Sequence, residues 1–172
     1  MWRIALAVFG IAAVGVVVTQ WPPARDYVYG HLDNNIGFLY SRGIGVKRDP
    51  VEAVHWWEAA SKRGSAAGEL NLGFALQNGE GVPVDEKQAA GWYEKAALQG
   101  LPEAANNLGS LYTNPRRGPP NLVLARAWFK RALRDGDREL AATVAENLQT
   151  IENDMSAAEI AASDRAFDNL HL

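Results

Sequence analysis

Asn71-Leu-Gly-Phe-Ala-Leu-Gln-Asn-Gly-Glu-Gly-Val-Pro-Val-Asp85, continued by the run that ends Trp92-Tyr93-Glu-Lys-Ala96-Ala97-Leu-Gln-Gly100, occurs three times in this chain at a fixed spacing. Thirty-six residues earlier it reads Asn35-Ile-Gly, Gly43-Ile-Gly-Val, Asp49, Trp56-Trp57, Ala60 and Gly64. Thirty-six later it reads Asn107-Leu-Gly, Asn121, Trp128-Phe129, Ala132 and Gly136. Three copies without an insertion define a repeat protein. The glycine-rich loop divides each copy into two amphipathic segments, so the unit is a helix pair. Such a pair cannot hide its own apolar face and must stack on its neighbours.

The helix boundaries follow from local chemistry. The first amphipathic helix is predicted from about Ala24 to Ser41, stopped by Gly43-Ile-Gly45. Asp49-Pro50-Val51-Glu52 combines an N-cap acid, proline at the first helical position and a capping-box glutamate, and opens a helix to Arg63 with Gly64 as its left-handed cap. Ser65 to Asn78 forms the next helix, Asp85-x-x-Gln88 the next capping box, Gly100 the next stop and Pro102 the next start. In the third copy Asn121 serves as cap and Gly136 as stop, while the loop changes to Asn114-Pro-Arg-Arg-Gly-Pro-Pro120. Trp56, Trp92 and Trp128 recur at one position and are expected to be interleaved between successive hairpins. Arg138 to Ile151 and a helix opened by the capping box Ser156-Ala-Ala-Glu159 form a last pair. Glu152, Asp154 and Asp164 would keep its outer side wet, as the terminal unit of an array requires.

Trp2 to Trp21 encloses fifteen apolar or small residues, with Arg3 before them and no further charge until Arg25. Twenty helical residues span roughly 30 Å, the thickness of a bilayer's hydrocarbon core. The flanking tryptophans suit the membrane interface. No small-x-small cleavage site follows in Val18-Thr-Gln-Trp-Pro-Pro, which favours an uncleaved anchor over a cleaved signal peptide and a secreted chain. Arg3 and the terminal amine place the amino terminus in the cytoplasm, so the repeats would face outward across an inner membrane, toward the periplasm or exterior. Pro22-Pro23 ends this segment. The expected layout is an anchor over residues 1–22, repeats over 24–145 and capping helices over 146–172.

The pattern Asn-Leu-Gly, Gly-x-Gly-Val, Asp, Trp-Tyr-x-Lys-Ala-Ala, Gly, from about Asn34 to Ala145, resembles the Sel1-like repeat family, a relative of the tetratricopeptide repeat. The middle copy carries it most fully; in the third, Pro115 and Arg117 stand at the loop glycines. The resemblance implies an all-α protein, a right-handed α-solenoid of about three helix-pair repeats, acting as an adaptor or scaffold for other proteins. Exported members of such a family act in envelope regulation, secretion or contact between cells, and some resemble immunity proteins that neutralise secreted phospholipase toxins.

Other chemistries find little support. The net charge is −3 and the basic residues are scattered, so the footprint of a nucleic-acid binder is missing. There is no cysteine, which removes disulfides, thiolate metal sites and lipoprotein acylation. The Gly43 and Gly79 loops lie between helices and lack the Lys-Ser/Thr of a phosphate loop. His31, His55 and His171 have no metal-ligand spacing, and Asp49, Glu52 and Asp85 already serve as caps. An enzyme acting on envelope polymers is therefore disfavoured, and no cofactor is expected.

Helical phase offers a binding surface instead. With Leu72, Ala75 and Leu76 inward, about 100° per residue places Asn71, Phe74 and Asn78 on the other side. The equivalents are Asn35, Phe38 and Arg42, then Asn107, Ser110 and Asn114. Stacked, they would form a strip with two aromatic anchors flanked by asparagines. Arg116 and Arg117 are candidates for an acidic partner.

Overall fold

The computed structural model of the chain describes residues 22–115 and 119–170, and every regular element among them is a helix. The expected anchor and Arg116, Arg117 and His171 lie outside the described residues. Among the described residues, no helix is long and apolar enough to cross a membrane. The helices are α1 Pro22–Arg42, α2 Pro50–Lys62, α3 Ala66–Asn78, α4 Glu86–Leu98, α5 Pro102–Thr113, α6 Leu122–Asp135, α7 Arg138–Glu152 and α8 Ala157–Asn169. They divide between two compact units, Met1–Gly68 and Glu69–Leu172. The expected Ala24 start of α1 moves to Pro22: both prolines sit in its first described turn, where a missing N–H costs no helical bond.

One interaction recurs in every repeat, and it corrects the expected role of the first tryptophans. In the first unit α1 packs on α2, where Gly37 faces Trp57: a Cβ on Gly37 would lie 2.6 Å from the indole Cδ1. In the second unit a Cβ on Gly73 would lie 2.7 Å from Cε1 of Tyr93, and one on Gly109 2.7 Å from Cδ1 of Phe129. Each glycine is the third residue of the Asn-x-Gly motif. Each aromatic is the second of the aromatic pair and is 5% exposed or less. Trp56 and Trp92 are only half-buried, and Lys95 Nζ lies 4.0 Å from the Trp92 ring centroid. Trp128 alone among the first aromatics is buried, on the helix that packs against both α7 and α8.

The loops close by a second recurring device. The backbone N–H of Asp49 donates to the Tyr40 carbonyl, that of Asp85 to Leu76 and that of Asn121 to Tyr112, each at 2.9 Å. This bond explains why the two predicted capping boxes are only half made. Asp49 accepts from the Glu52 N–H and Asp85 from the Gln88 N–H as expected, but the cap residue's own N–H is already used. Glu52 turns toward His55, at 3.7 Å, and the Gln88 amide donates to the Asp85 carboxylate at 2.9 Å. At Ser156 the box with Glu159 is complete. Gly43, Gly45, Gly79 and Gly81 all have positive φ, which lets the chain reverse between cap and carbonyl where a side chain would be strained. Gly64 is left-handed as expected, at φ +77°. Gly136 is not: it caps α6 in an extended conformation, φ −83° and ψ 161°.

The last pair departs from the pattern. Counted from the N-cap, Asp164 occupies the place of Trp57, Tyr93 and Phe129, and Val144 the place of the glycine. Val144 is fully buried. Asp164 accepts from Lys130 Nζ at 2.8 Å and from Arg126 Nη1 at 2.7 Å, and Arg126 Nε also bonds Glu152 at 2.5 Å. Glu152 and Asp164, expected to wet the outer side, instead tie α7 and α8 to α6. Phe167 lies 4.5 Å from Lys130 Nζ, measured to its ring centroid.

Candidate functional site

In the second unit, the inward phase of α3 is as expected: Leu72, Ala75 and Leu76 are 3%, 0% and 8% exposed. Phe74 emerges on the opposite side at 46% exposure, Asn71 is half-buried, and Asn78 is exposed with its amide donating to the Phe74 carbonyl at 2.9 Å. The first unit repeats this on α1. Asn35 is exposed, Phe38 is 45% exposed, and the Arg42 guanidinium carbon stands 5.7 Å from the Phe38 ring centroid. Each unit thus presents an aromatic beside groups able to hydrogen-bond.

The third copy does not present the same surface. Ser110 is half-buried and donates to the Asn106 carbonyl at 3.0 Å; the Asn114 amide donates to Glu86 at 3.0 Å. Asn107 is half-buried beside the Tyr93 hydroxyl, which donates to Gln77 Oε1 at 2.7 Å. That hydroxyl ties α4 to α3. Burial raises the pKa of Tyr93 well above the usual phenol value, and the Asn107 bond offsets this only in part. Close by, Gln99 donates to Glu69 at 2.7 Å; burial raises the Glu69 pKa against this bond and the charge of Lys95.

Sequence reasoning missed the glycine–aromatic contact, although its signal was present: Gly37, Gly73 and Gly109 keep the same spacing as Trp57, Tyr93 and Phe129. A hollow of about 300 Å³ in the second unit is lined by Glu103, Asp137, Glu139, Leu140 and Thr143. Its Asp137 is the N-cap of α7, accepting from the N–H groups of Glu139 and Leu140. Among the described residues no three His, Cys, Asp or Glu side chains are grouped to hold a metal ion.

Three successive segments, residues 33–65, 66–101 and 102–137, match the Sel1 repeat. The chain belongs to the Sel1 repeat family, whose members are in general scaffolds for protein–protein interaction. Among solved structures it is similar to a protective antigen of uropathogenic Escherichia coli displaying an SLR fold, at 31% identity and a TM-score of 0.73 over 86% of this chain and 31% of that one. It is also similar to a Sel1 repeat protein from Oxalobacter formigenes, at 30% identity and a TM-score of 0.60 over 73% of this chain and 51% of that one. The chain therefore spans about a third to a half of the length of these relatives. No curated protein matches it.

Proposed function

We propose that this chain is a membrane-tethered Sel1 repeat scaffold that holds a protein partner on the extracytoplasmic face of the membrane. The observation that carries the reading is the exposure of Phe38 and Phe74 at equivalent places in successive repeats, where the helix interior has no use for them. Exposed aromatics of this kind, flanked by hydrogen-bonding groups such as Asn35 and Asn78, are the usual anchors of a protein interface. Asn71 and Arg42 flank the same anchors, whereas Asn107, Ser110 and Asn114 contribute to the fold. Arg116 and Arg117 remain proposed contacts for an acidic segment of the partner. The tether is proposed from the apolar run between Trp2 and Trp21.

The test is capture of partners by the full chain from detergent-solubilised membranes, comparing the unaltered protein with the Phe38→Ala, Phe74→Ala double variant. Both side chains are half in solvent, so the variant should keep its helical circular dichroism. Loss of a specifically captured protein supports the reading; undiminished capture removes the two aromatics from it.

A further inference from the structure

The exposed side of α1 carries more apolar surface than one aromatic anchor requires. Val28, Leu32 and Leu39 are 44%, 50% and 38% exposed. At about 100° per residue they fall within roughly 40° of one another, a line about 17 Å long on the helix. Tyr27, 68% exposed, lies roughly 100° to the side of that line, close in phase to Phe38. By contrast α8, at the other end of the chain, exposes no large hydrophobic residue. The apolar line therefore belongs to α1 and not to helix ends in general.

The position of α1 in the chain indicates what covers it. In the sequence only Thr19, Gln20 and Trp21 stand between the apolar run and Pro22, the first described residue of α1. Pro22 and Pro23 lack the N–H groups that would continue an upstream helix into α1, so the chain can change direction there. If α1 continued straight out of a bilayer, Leu39 would stand about 27 Å above the last embedded residue. The polar layer of a bilayer is only about 5–8 Å deep on each side, so the line would be left in water. Laid along the surface, the same helix places Val28, Leu32 and Leu39 together at the boundary of headgroups and acyl chains, where amphipathic helices bury an apolar face. We propose that α1 lies flat on the lipid surface through Val28, Leu32 and Leu39, so that the membrane covers its apolar line and fixes the orientation of the first repeat. Phe38 and Arg42, displaced around the helix from that line, stay accessible to a protein partner, whereas Asn35, about 20° from Val28, meets the headgroup layer and leaves the partner surface to them. This inference rests on the tether proposed above.

The absence of native cysteine makes the test direct. Single cysteines at Val28, Leu32 and Leu39, and at the exposed Ala142 of α7 as a control, are labelled with a polarity-sensitive fluorophore in the full chain. The protein is reconstituted into phosphatidylcholine–phosphatidylglycerol vesicles with and without doxyl-labelled lipid, and helix content is checked by circular dichroism. The expected result is a blue-shifted emission and severalfold stronger doxyl quenching at the three α1 positions than at Ala142→Cys. Quenching equal to the control, in protein that resists carbonate extraction, overturns the flat placement and leaves the tether intact. A blue shift without doxyl quenching also overturns it, since a second copy or another protein would then cover the line. Extraction by carbonate removes the tether, and this inference with it.

Discussion

At Gly73 and Gly109 the space for even one methyl group is filled by an aromatic ring, and the ring belongs to a buried side chain that cannot swing away. Gly73→Ala is therefore expected to destabilise the protein by about 1–3 kcal/mol through overpacking, although alanine is the better helix former by about 1 kcal/mol. Gly91, in the middle of α4, has open space where a Cβ would stand, with no neighbouring atom within 4 Å, so Gly91→Ala should show the propensity gain alone, up to about 1 kcal/mol. Opposite shifts of the urea midpoint for these two substitutions would establish the contact; equal shifts would dismiss it. Tyr93→Phe deletes the hydroxyl that donates to Gln77 and leaves that half-buried amide short of a partner. It should cost about 1–2 kcal/mol in the same measurement. The sequence displayed the aromatic pair but not which member turns inward, because adjacent helical residues differ by about 100° and only the facing glycine decides between them.

Elements were the most legible level. N-cap side chains, proline starts and glycine stops act within four residues, so α2 to α8 fall within a residue or two of their expected bounds. The long-range bond from each cap N–H to the preceding helix could not be read this way, and it is why Glu52 and Gln88 do not complete their boxes. Asn121→Ala removes the side chain that accepts from the Leu124 N–H at 3.0 Å and should cost about 1 kcal/mol in thermal or chemical unfolding. The attachment of α8 is electrostatic in the same local sense. Lys130 first, and Arg126 with it, lower the Asp164 pKa from 3.8 to about 2. Because the folded value lies below the unfolded one, this contribution is complete above about pH 4 and is lost as pH falls through about 2. The protection of α8 amides relative to their intrinsic exchange rates should fall selectively over that window and at high salt. Asp164→Asn should abolish the dependence, and an unaltered profile in that variant would assign the effect to other carboxylates.

For the whole molecule, the period of thirty-six residues, the tandem helix pairs and the polar last pair were all visible in the amino-acid pattern. Spacing survives even where loop chemistry changes, as the bond from Asn121 to Tyr112 shows across the altered third loop. The candidate surface was legible only in part. Phase alone correctly turned Phe38 and Phe74 outward, but it could not reveal that Ser110 and Asn114 already bond the Asn106 carbonyl and Glu86. The proposed topology gives a prediction at this scale. Protease added to intact spheroplasts should digest the repeats while a cytoplasmic marker survives, and protection of the repeats until lysis would reverse the orientation.

The bond from each cap back to a carbonyl nine positions earlier has a consequence for how such chains grow. Every module seals its own hairpin, so copying a 36-residue block in frame adds a ready-made unit and asks for no new joint. Copy number can then change while the geometry of each module stays constant, in keeping with relatives of the same repeat fold that are roughly one and a half to three times as long.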